Sequence, residues 1–361
     1  MTFQNLGIEL REVPGFTKDD HSVKNNNLNS TSEEYKMQEK KILIIHTGGT
    51  ISMSEDAATG AVKPTEINPM TQKTNELLSL ADIVIEEPFH LPSPHITPVE
   101  MIELKKIIDK YIALNEISGV VITHGTDTLE ETAYFLHLTI QTPMPIVVTG
   151  AMRSSNEIGS DGLYNLISSI RVASCKEAMN KGVLVVLNDE IHTAENVTKT
   201  HTSNVSTFQS PQYGPIGIVT KRGVLFHHLP TINEYYPIAD VTKRVALIKA
   251  HAGMDSTLLC AIRDLEYHGV VIEALGQGNL PPATVDGIKA LIEKNIPIVI
   301  VSRCFNGIAQ DVYGYEGGGK HLKDLGVIFS NGLNGQKARL KLLIGLESSK
   351  NIEDIEKIFQ V

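Results

Sequence analysis

Apolar residues along this chain gather into short unbroken runs that stop at glycine, with longer stretches of helical period between them. Lys41-Ile-Leu-Ile-Ile-His46 runs into Thr47-Gly48-Gly49-Thr50, and Gly119-Val-Val-Ile-Thr123 runs into His124-Gly125-Thr126-Asp127-Thr128. Such runs read as strands buried on both faces. Ile83–Ile85, Pro145–Thr149 and Gly182–Leu187 read the same way. Between the strands, Thr97-Pro98-Val99-Glu100 is a capping box with proline at the first helical position. Leu104, Ile107, Ile108, Tyr111 and Ile112 follow at helical spacing. Thr128-Leu129-Glu130-Glu131 predicts the same cap for a helix through about Ile140, and Asp161–Cys175 predicts a further helix.

This β-α-β-α alternation predicts an α/β fold: a larger N-terminal domain whose mainly parallel sheet is flanked by helices, and a smaller C-terminal α/β domain. Ser52–Asn68, with Gly60 and Pro64, reads as a loop, and the pattern loosens through Val219–Val241, which reads as the interdomain connection. It restarts with strands at Val245–Lys249, Gly269–Glu273 and Pro297–Val301, helices at Asp255–Tyr267 and Pro282–Lys294, and two closing helices at Gln336–Leu346 and Asn351–Phe359. The expected boundaries are 38–230 for the first domain, 231–244 for the linker and 245–361 for the second. Residues 1–37, rich in Asn, Ser, Lys and acidic residues, bury too little apolar surface to offset their ordering entropy and read as a flexible tail. Met37, just before the first strand, is a candidate physiological start.

Composition narrows the function classes. Hydrophobic residues make up 42% and charged residues 20% of the 361, ordinary for a soluble globular protein. The formal net charge of −10 argues against nucleic acid or an anionic membrane surface as the main partner. No apolar run approaches the ~18 residues that a membrane span needs, and the first 36 residues lack the basic and apolar regions of a secretory signal. A cytoplasmic protein is expected. Cys175, Cys260 and Cys304 are too far apart for a CxxC metal or redox unit and odd in number, so they read as reduced, buried and inert.

In an open α/β sheet, ligands are held at the carboxyl ends of strands. Two hydroxyl-rich strand ends, Thr47–Thr50 and His124–Thr128, therefore predict one shared site. The spacing excludes a P-loop and a dinucleotide fingerprint. Gly48 and Gly49 expose backbone N–H groups beside Thr50, an arrangement suited to hydroxyl attack on a carbonyl with amides stabilising the oxyanion. The alternative is a tight turn with a capping threonine. Ionised Asp127 accepts hydrogen bonds only and suits a ligand ammonium. His46 and His124 precede their turns and read as core or hydrogen-bonding residues. A lysine whose pKa burial lowers from about 10.4 can serve as the base. Lys199, in Asn196-Val-Thr-Lys199-Thr-His-Thr202, is the candidate, against the common case of a solvated surface lysine.

Thr47-Gly-Gly-Thr50-Ile51 together with His124-Gly-Thr126-Asp127-Thr128 resembles the paired signature of bacterial L-asparaginases. The likeness continues through Gly150-Ala-Met-Arg-Ser154, Asp161-Gly162, Asn188-Asp189, Val197-Thr-Lys199-Thr200, Tyr213-Gly-Pro215, Gly276-Gln-Gly-Asn279 and Gln336-Lys-Ala-Arg339, in order from about residue 40 to the end. It is similar to the cytoplasmic type I rather than the exported form. The resemblance implies hydrolysis of L-asparagine to L-aspartate and ammonia through an acyl-enzyme on Thr50. It implies a Thr126-Lys199-Asp127 group that activates nucleophile or water, with Asp127 also holding the substrate α-amino group. It also implies that Ser93 binds the α-carboxylate and that Asn279 reaches a neighbouring subunit's site in a homodimer or homotetramer, with no metal or organic cofactor. The chain departs from the pattern in having no tyrosine within residues 52–68, where many members carry one that assists the nucleophile. Two other functions are compatible with the resemblance. One is the amidase subunit of a tRNA-dependent amidotransferase, for whose extra N-terminal domain the 37-residue tail is too short and too poor in apolar residues. The other is a non-catalytic amino-acid sensor.

Overall fold

The computed structural model describes residues 41–56, 59–64, 68–70, 77, 80–230, 234–330, 332–349 and 351–360. The expected flexible tail and Met37 lie outside the described residues. The larger domain carries β1 (Lys41–His46), β2 (Met53–Glu55), β3 (Val62–Pro64), β4 (Asp82–Glu86), α1 (Pro98–Leu114), β5 (Gly119–Thr123), α2 (Leu129–Thr139) and β6 (Ile146–Thr149). It continues with α3 (Gly162–Ala173), β7 (Val183–Leu187), β8 (Glu190–Thr193), β9 (Thr198–Lys199), β10 (Phe208–Gln209), β11 (Gly217–Thr220) and β12 (Gly223–Phe226). The smaller domain carries β13 (Val245–Lys249), α4 (Thr257–Asp264), β14 (Gly269–Ala274), α5 (Val285–Ile292), β15 (Ile298–Ser302), α6 (Gly319–Asp324), β16 (Ile328–Phe329), α7 (Gly335–Ser348) and α8 (Ile352–Phe359).

The apolar runs become the centre of an eight-stranded sheet of order β12-β11-β8-β7-β6-β5-β1-β4. Its β4, β1, β5, β6 and β7 are parallel; β8, β11 and β12 extend it in antiparallel fashion. Alternation along β1 sends Leu43 and Ile45 to one face and Ile42 and Ile44 to the other, all fully buried. Each such side chain contributes about 1.5–3 kcal/mol by leaving water. Ile42 and Ile44 pack with Leu166 and Ile170 of α3. Leu43 and Ile45 share a core with α1 and α2 that continues into Leu340 and Leu343 of α7 and on to Val271 and Val299 of the second sheet. That second sheet is four-stranded and wholly parallel, in the order β13-β14-β15-β16. Its far face is covered by Leu259 of α4 and by Ile288 and Leu291 of α5.

The strand order locates the crevice. From β1 the chain crosses to β4 on one side, then returns to β5 on the other, so the turns after β1 and β5 diverge. Ligands in open α/β sheets bind at such a switch point. Here it lies between the Thr47–Thr50 turn and the His124–Thr128 turn.

Several expectations are corrected. The stretch Val219–Val241 is not simply a connection, since β11 and β12 form the antiparallel edge of the large sheet. They are short and partly exposed, so no continuous apolar run marks them. Within the expected loop 52–68, β2 and β3 form a hairpin. The capping box at Thr97 forms as expected, but the one at Thr128 does not. The Thr128 hydroxyl donates instead to Ser93 O at 2.7 Å, and Glu131 is drawn to Arg339 at 3.5 Å. The cysteines are free but not buried: Cys304 is exposed and the other two are half-buried.

Candidate active site

Two turns meet at the switch point, and glycine lets them touch. Gly49 has φ of 81°, and a Cβ there would lie 2.3 Å from Gly125 Cα. Gly48, with φ of 106°, presses on the Leu91 backbone, where a Cβ would come within 2.5 Å of Leu91 O. The Gly49 N–H donates to Leu91 O at 3.1 Å, and Leu91 N–H donates to Thr47 O at 3.0 Å. The expectation that both glycines expose amides toward a ligand therefore fails for Gly49, whose N–H is already used. Close backbone approach is what these glycines provide. Thr50 follows as the first residue of a short 3-10 turn over Thr50–Ser52, partly exposed, with Ile51 and Ser52 buried beneath it.

The histidines before the turns are structural, as expected. His46 Nδ1 lies 2.7 Å from Thr123 Oγ1. His124 Nδ1 lies 2.8 Å from Gly125 O, and its Nε2 lies 2.9 Å from Thr132 Oγ1. A carbonyl only accepts, so Nδ1 of His124 carries the proton and Nε2 accepts from the threonine hydroxyl. Burial pushes both imidazoles down to about 4, so they are neutral at pH 7.

On the β5 side, Thr126 is 7% exposed. Lys199 Nζ donates to Thr126 Oγ1 at 2.9 Å and to Asp127 Oδ1 at 2.7 Å. The lysine side chain is 16% exposed and that of Asp127 61%, so the carboxylate stands at the mouth and the ammonium beneath it. Lys199 is therefore not the solvated surface lysine of the common case. Ser93 is buried against the same turn: Asp127 N–H donates to Ser93 Oγ at 3.2 Å. A Cβ on Gly125 would lie 2.7 Å from that hydroxyl. The Ser93 oxygen thus accepts from the turn.

The structure brings Thr126, Asp127, Lys199 and Ser93 together by direct hydrogen bonds. Gly49, the residue before Thr50, touches Gly125 of the same turn. Asn279 is elsewhere, after β14, where its Oδ1 accepts from Gly319 N–H at 3.1 Å. Among the described residues no hydrogen bond joins Asn279 to the Thr126 group.

Sequence reading named Asp161 only within the family likeness and missed Asn156 and Asn165, which support the site. Asp161 Oδ1 and Oδ2 accept from Arg153 and Met152 N–H at 3.0 and 3.1 Å. Asn165 ties the end of β6 to the start of the β7–β8 turn, donating to Gly150 O and accepting from Asn188 N–H, each at 3.0 Å. The β2–β3 hairpin is anchored on the same loop, with Glu55 N–H donating to Asn156 Oδ1 at 2.7 Å and Asn156 Nδ2 donating to Glu55 O at 2.9 Å. Glu130 was visible only as part of a capping box, yet it accepts from Lys199 N–H at 3.2 Å.

Among the described residues no group of His, Cys, Asp and Glu has the arrangement of a metal site, and no helix is long and apolar enough to cross a membrane. Residues 41–231 match the family described as "Asparaginase, N-terminal", and residues 244–359 match the "Glutaminase/Asparaginase C-terminal domain". A probable L-asparaginase of Deinococcus radiodurans is 38% identical over 88% of this chain and 97% of its own. L-asparaginase 2 of Bacillus subtilis is 32% identical over 92% of this chain and 89% of its own. The crystal structure of a probable cytoplasmic L-asparaginase from Campylobacter jejuni superposes with a TM-score of 0.80 at 33% identity, covering 89% of this chain and 99% of its own. Both sheets, the two touching turns and matches across nearly the whole length lead to one conclusion: the chain belongs to the asparaginase family.

Proposed function

We propose that this protein is an L-asparaginase, hydrolysing the side-chain amide of L-asparagine to L-aspartate and ammonia through an acyl-threonine. The observation that carries this reading is the Lys199–Thr126–Asp127 hydrogen-bonded group on a turn in backbone contact with Gly49, next to Thr50. The Thr50 hydroxyl attacks the amide carbon, the C–N bond breaks, and ammonia leaves with the proton the hydroxyl gave up. Water then cleaves the resulting ester and returns a proton to Thr50. Lys199 and Thr126 carry the proton in these steps. Asp127, open to solvent, receives the substrate α-ammonium, and the free proton of Ser93 Oγ meets the α-carboxylate.

The relatives are described as L-asparaginases, and one as cytoplasmic. That last description supports placing this protein in the cytoplasm. We extend the reading to domain boundaries of 38–230 and 245–361 around a linker at 231–244, and to a homodimer or homotetramer in which Asn279 serves a neighbouring site.

Ammonia release from L-asparagine by the purified protein tests the reading. Thr50→Ala should abolish turnover while the folded protein still binds aspartate, and Thr50→Ser should retain some. Full activity in Thr50→Ala would remove the covalent route. No ammonia from the wild type would leave the amidotransferase subunit or the sensor. Lys199→Met should lower kcat far more than it raises KM, and Asp127→Asn should harm both. The double variant should be little worse than the poorer single one, as for residues acting as a unit.

A further inference from the structure

β9, which presents Lys199, is only two residues long and pairs with an equally short β10 in a sheet of its own. So short a pair does not hold itself in place. The segment is held from outside. Glu130, on the first turn of α2 and 6% exposed, accepts on Oε1 from the Thr198 hydroxyl at 3.0 Å and from Lys199 N–H at 3.2 Å. Its Oε2 accepts from Asn334 Nδ2 at 3.0 Å and lies 3.7 Å from Lys337 Nζ. Asn334 is also the N-cap of α7, its Oδ1 accepting from Lys337 N–H at 3.1 Å, so its amide is oriented from both ends. Lys337 Nζ donates to the carbonyls of Glu195, at 2.9 Å, and Val197. Residues 195–199 are therefore gripped through two carbonyls, a hydroxyl and the amide of Lys199 itself.

We propose that Glu130 is a positioning residue: it holds Lys199 within reach of Thr126 and joins α7 of the smaller domain to the active-site scaffold. The inference rests on the amidohydrolase reading above. Glu130 follows Asp127 by three residues, so the turn that bears Thr126 and Asp127 leads directly into the group that fixes their lysine. A carboxylate is required because both of its oxygens face donors only, the Thr198 hydroxyl apart. A glutamine would present an NH₂ to one pair of them. The competing account makes Glu130 merely the buried counter-charge of Lys337. In that case Lys199 would not need it.

Glu130→Gln should lower kcat by about 10–100-fold, the scale of a misplacement near 1 Å, while KM changes little. In a Lys199→Met background the same substitution should add no further loss. Thr198→Val, which removes one donor and leaves the Glu130–Lys337 pair alone, should also lower kcat with KM unmoved. It carries the test if Glu130→Gln does not fold. A crystal structure of Glu130→Gln should show Lys199 Nζ beyond hydrogen-bond range of Thr126 Oγ1. Unchanged kcat in Thr198→Val, losses that multiply with Lys199→Met, or an intact Lys199–Thr126 bond in the crystal would each overturn the proposal. If the wild type releases no ammonia, the function reading falls, and the crystallographic bond still decides the positioning role.

Discussion

Acid should unfold this protein through its histidines. His46, His124, His137 and His192 are all buried, and burial is the largest cause holding each imidazole near 4 against an ordinary 6.5. Lys337 adds to the effect at His137 and His192. Between these values the unfolded chain binds protons that the folded chain refuses. The stability is therefore whole above 6.5 and drains away as pH falls toward 4. From pH 7 to about pH 5 the linkage relation gives a loss of about 2 kcal/mol for each histidine, or about 8 kcal/mol for four. Glu131, Glu190 and Glu195 act in the opposite sense: burial raises their pKa values, so acidification relieves part of their cost. Even a reduced loss is large beside a typical stability of about 5–15 kcal/mol. Urea unfolding at about pH 7.5 and about pH 5 reads the difference from the two midpoints. His124→Gln, which offers a donor and an acceptor but takes no proton, should lose about 2 kcal/mol less over that interval than the wild type. Equal midpoints at the two pH values, or an unchanged pH dependence in His124→Gln, would refute the reasoning.

Other outcomes follow from single contacts. Gly49→Ala should cost about 2–4 kcal/mol and abolish ammonia release, because its Cβ meets the Gly125 backbone rather than a movable side chain; thermal unfolding and the ammonia assay check it. Lys337→Met should destabilise by about 3–5 kcal/mol in urea, since it strips the nearest cation from buried Glu130 and leaves the Glu195 and Val197 carbonyls unpaired. Dialysis against a chelator should leave asparagine hydrolysis unchanged, because each proposed step is assigned to Thr50, Thr126, Asp127 or Lys199; a loss restored by a divalent cation would contradict that assignment.

The central strands were legible because residues buried on both faces must be apolar throughout, as in β1, β5 and β7. The turns after β1 and β5 were legible because glycine interrupts those runs abruptly. The antiparallel edge was not, since β11 alternates buried with half-buried positions over only four residues. Thr97 and Thr128 show the limit of local motifs. Both begin the same capping pattern, but only Thr128 has a rival acceptor, the Ser93 carbonyl from the neighbouring turn. Lys199 drew notice from its hydroxyl-rich surroundings, whereas its partners lie about 70 residues away along the chain and no local pattern foretells that pairing. Nothing local in the sequence marks Glu130, Lys337 and Lys341 as buried. Glu130 and Lys337 meet across α2 and α7, and Lys341 meets Glu234, so each is partnered by a residue far off in sequence.

The apolar layer that α1, α2 and α7 share with both sheets bears on where the chain tolerates division. A cut in the segment 231–244 would separate Leu43 and Ile45 from Leu340 and Leu343, and would part Glu130 and Glu131 from Lys337 and Arg339; a cut after Glu234 would also part it from Lys341. Each fragment would then expose half of an interior rather than a finished surface. Expressed as separate polypeptides, the halves should be aggregation-prone alone and recover activity only when produced together. For an engineer this makes the proposed linker a place for a conditional split enzyme, silent until two pieces meet, because the apolar contact that rejoins them also restores the grip on Lys199.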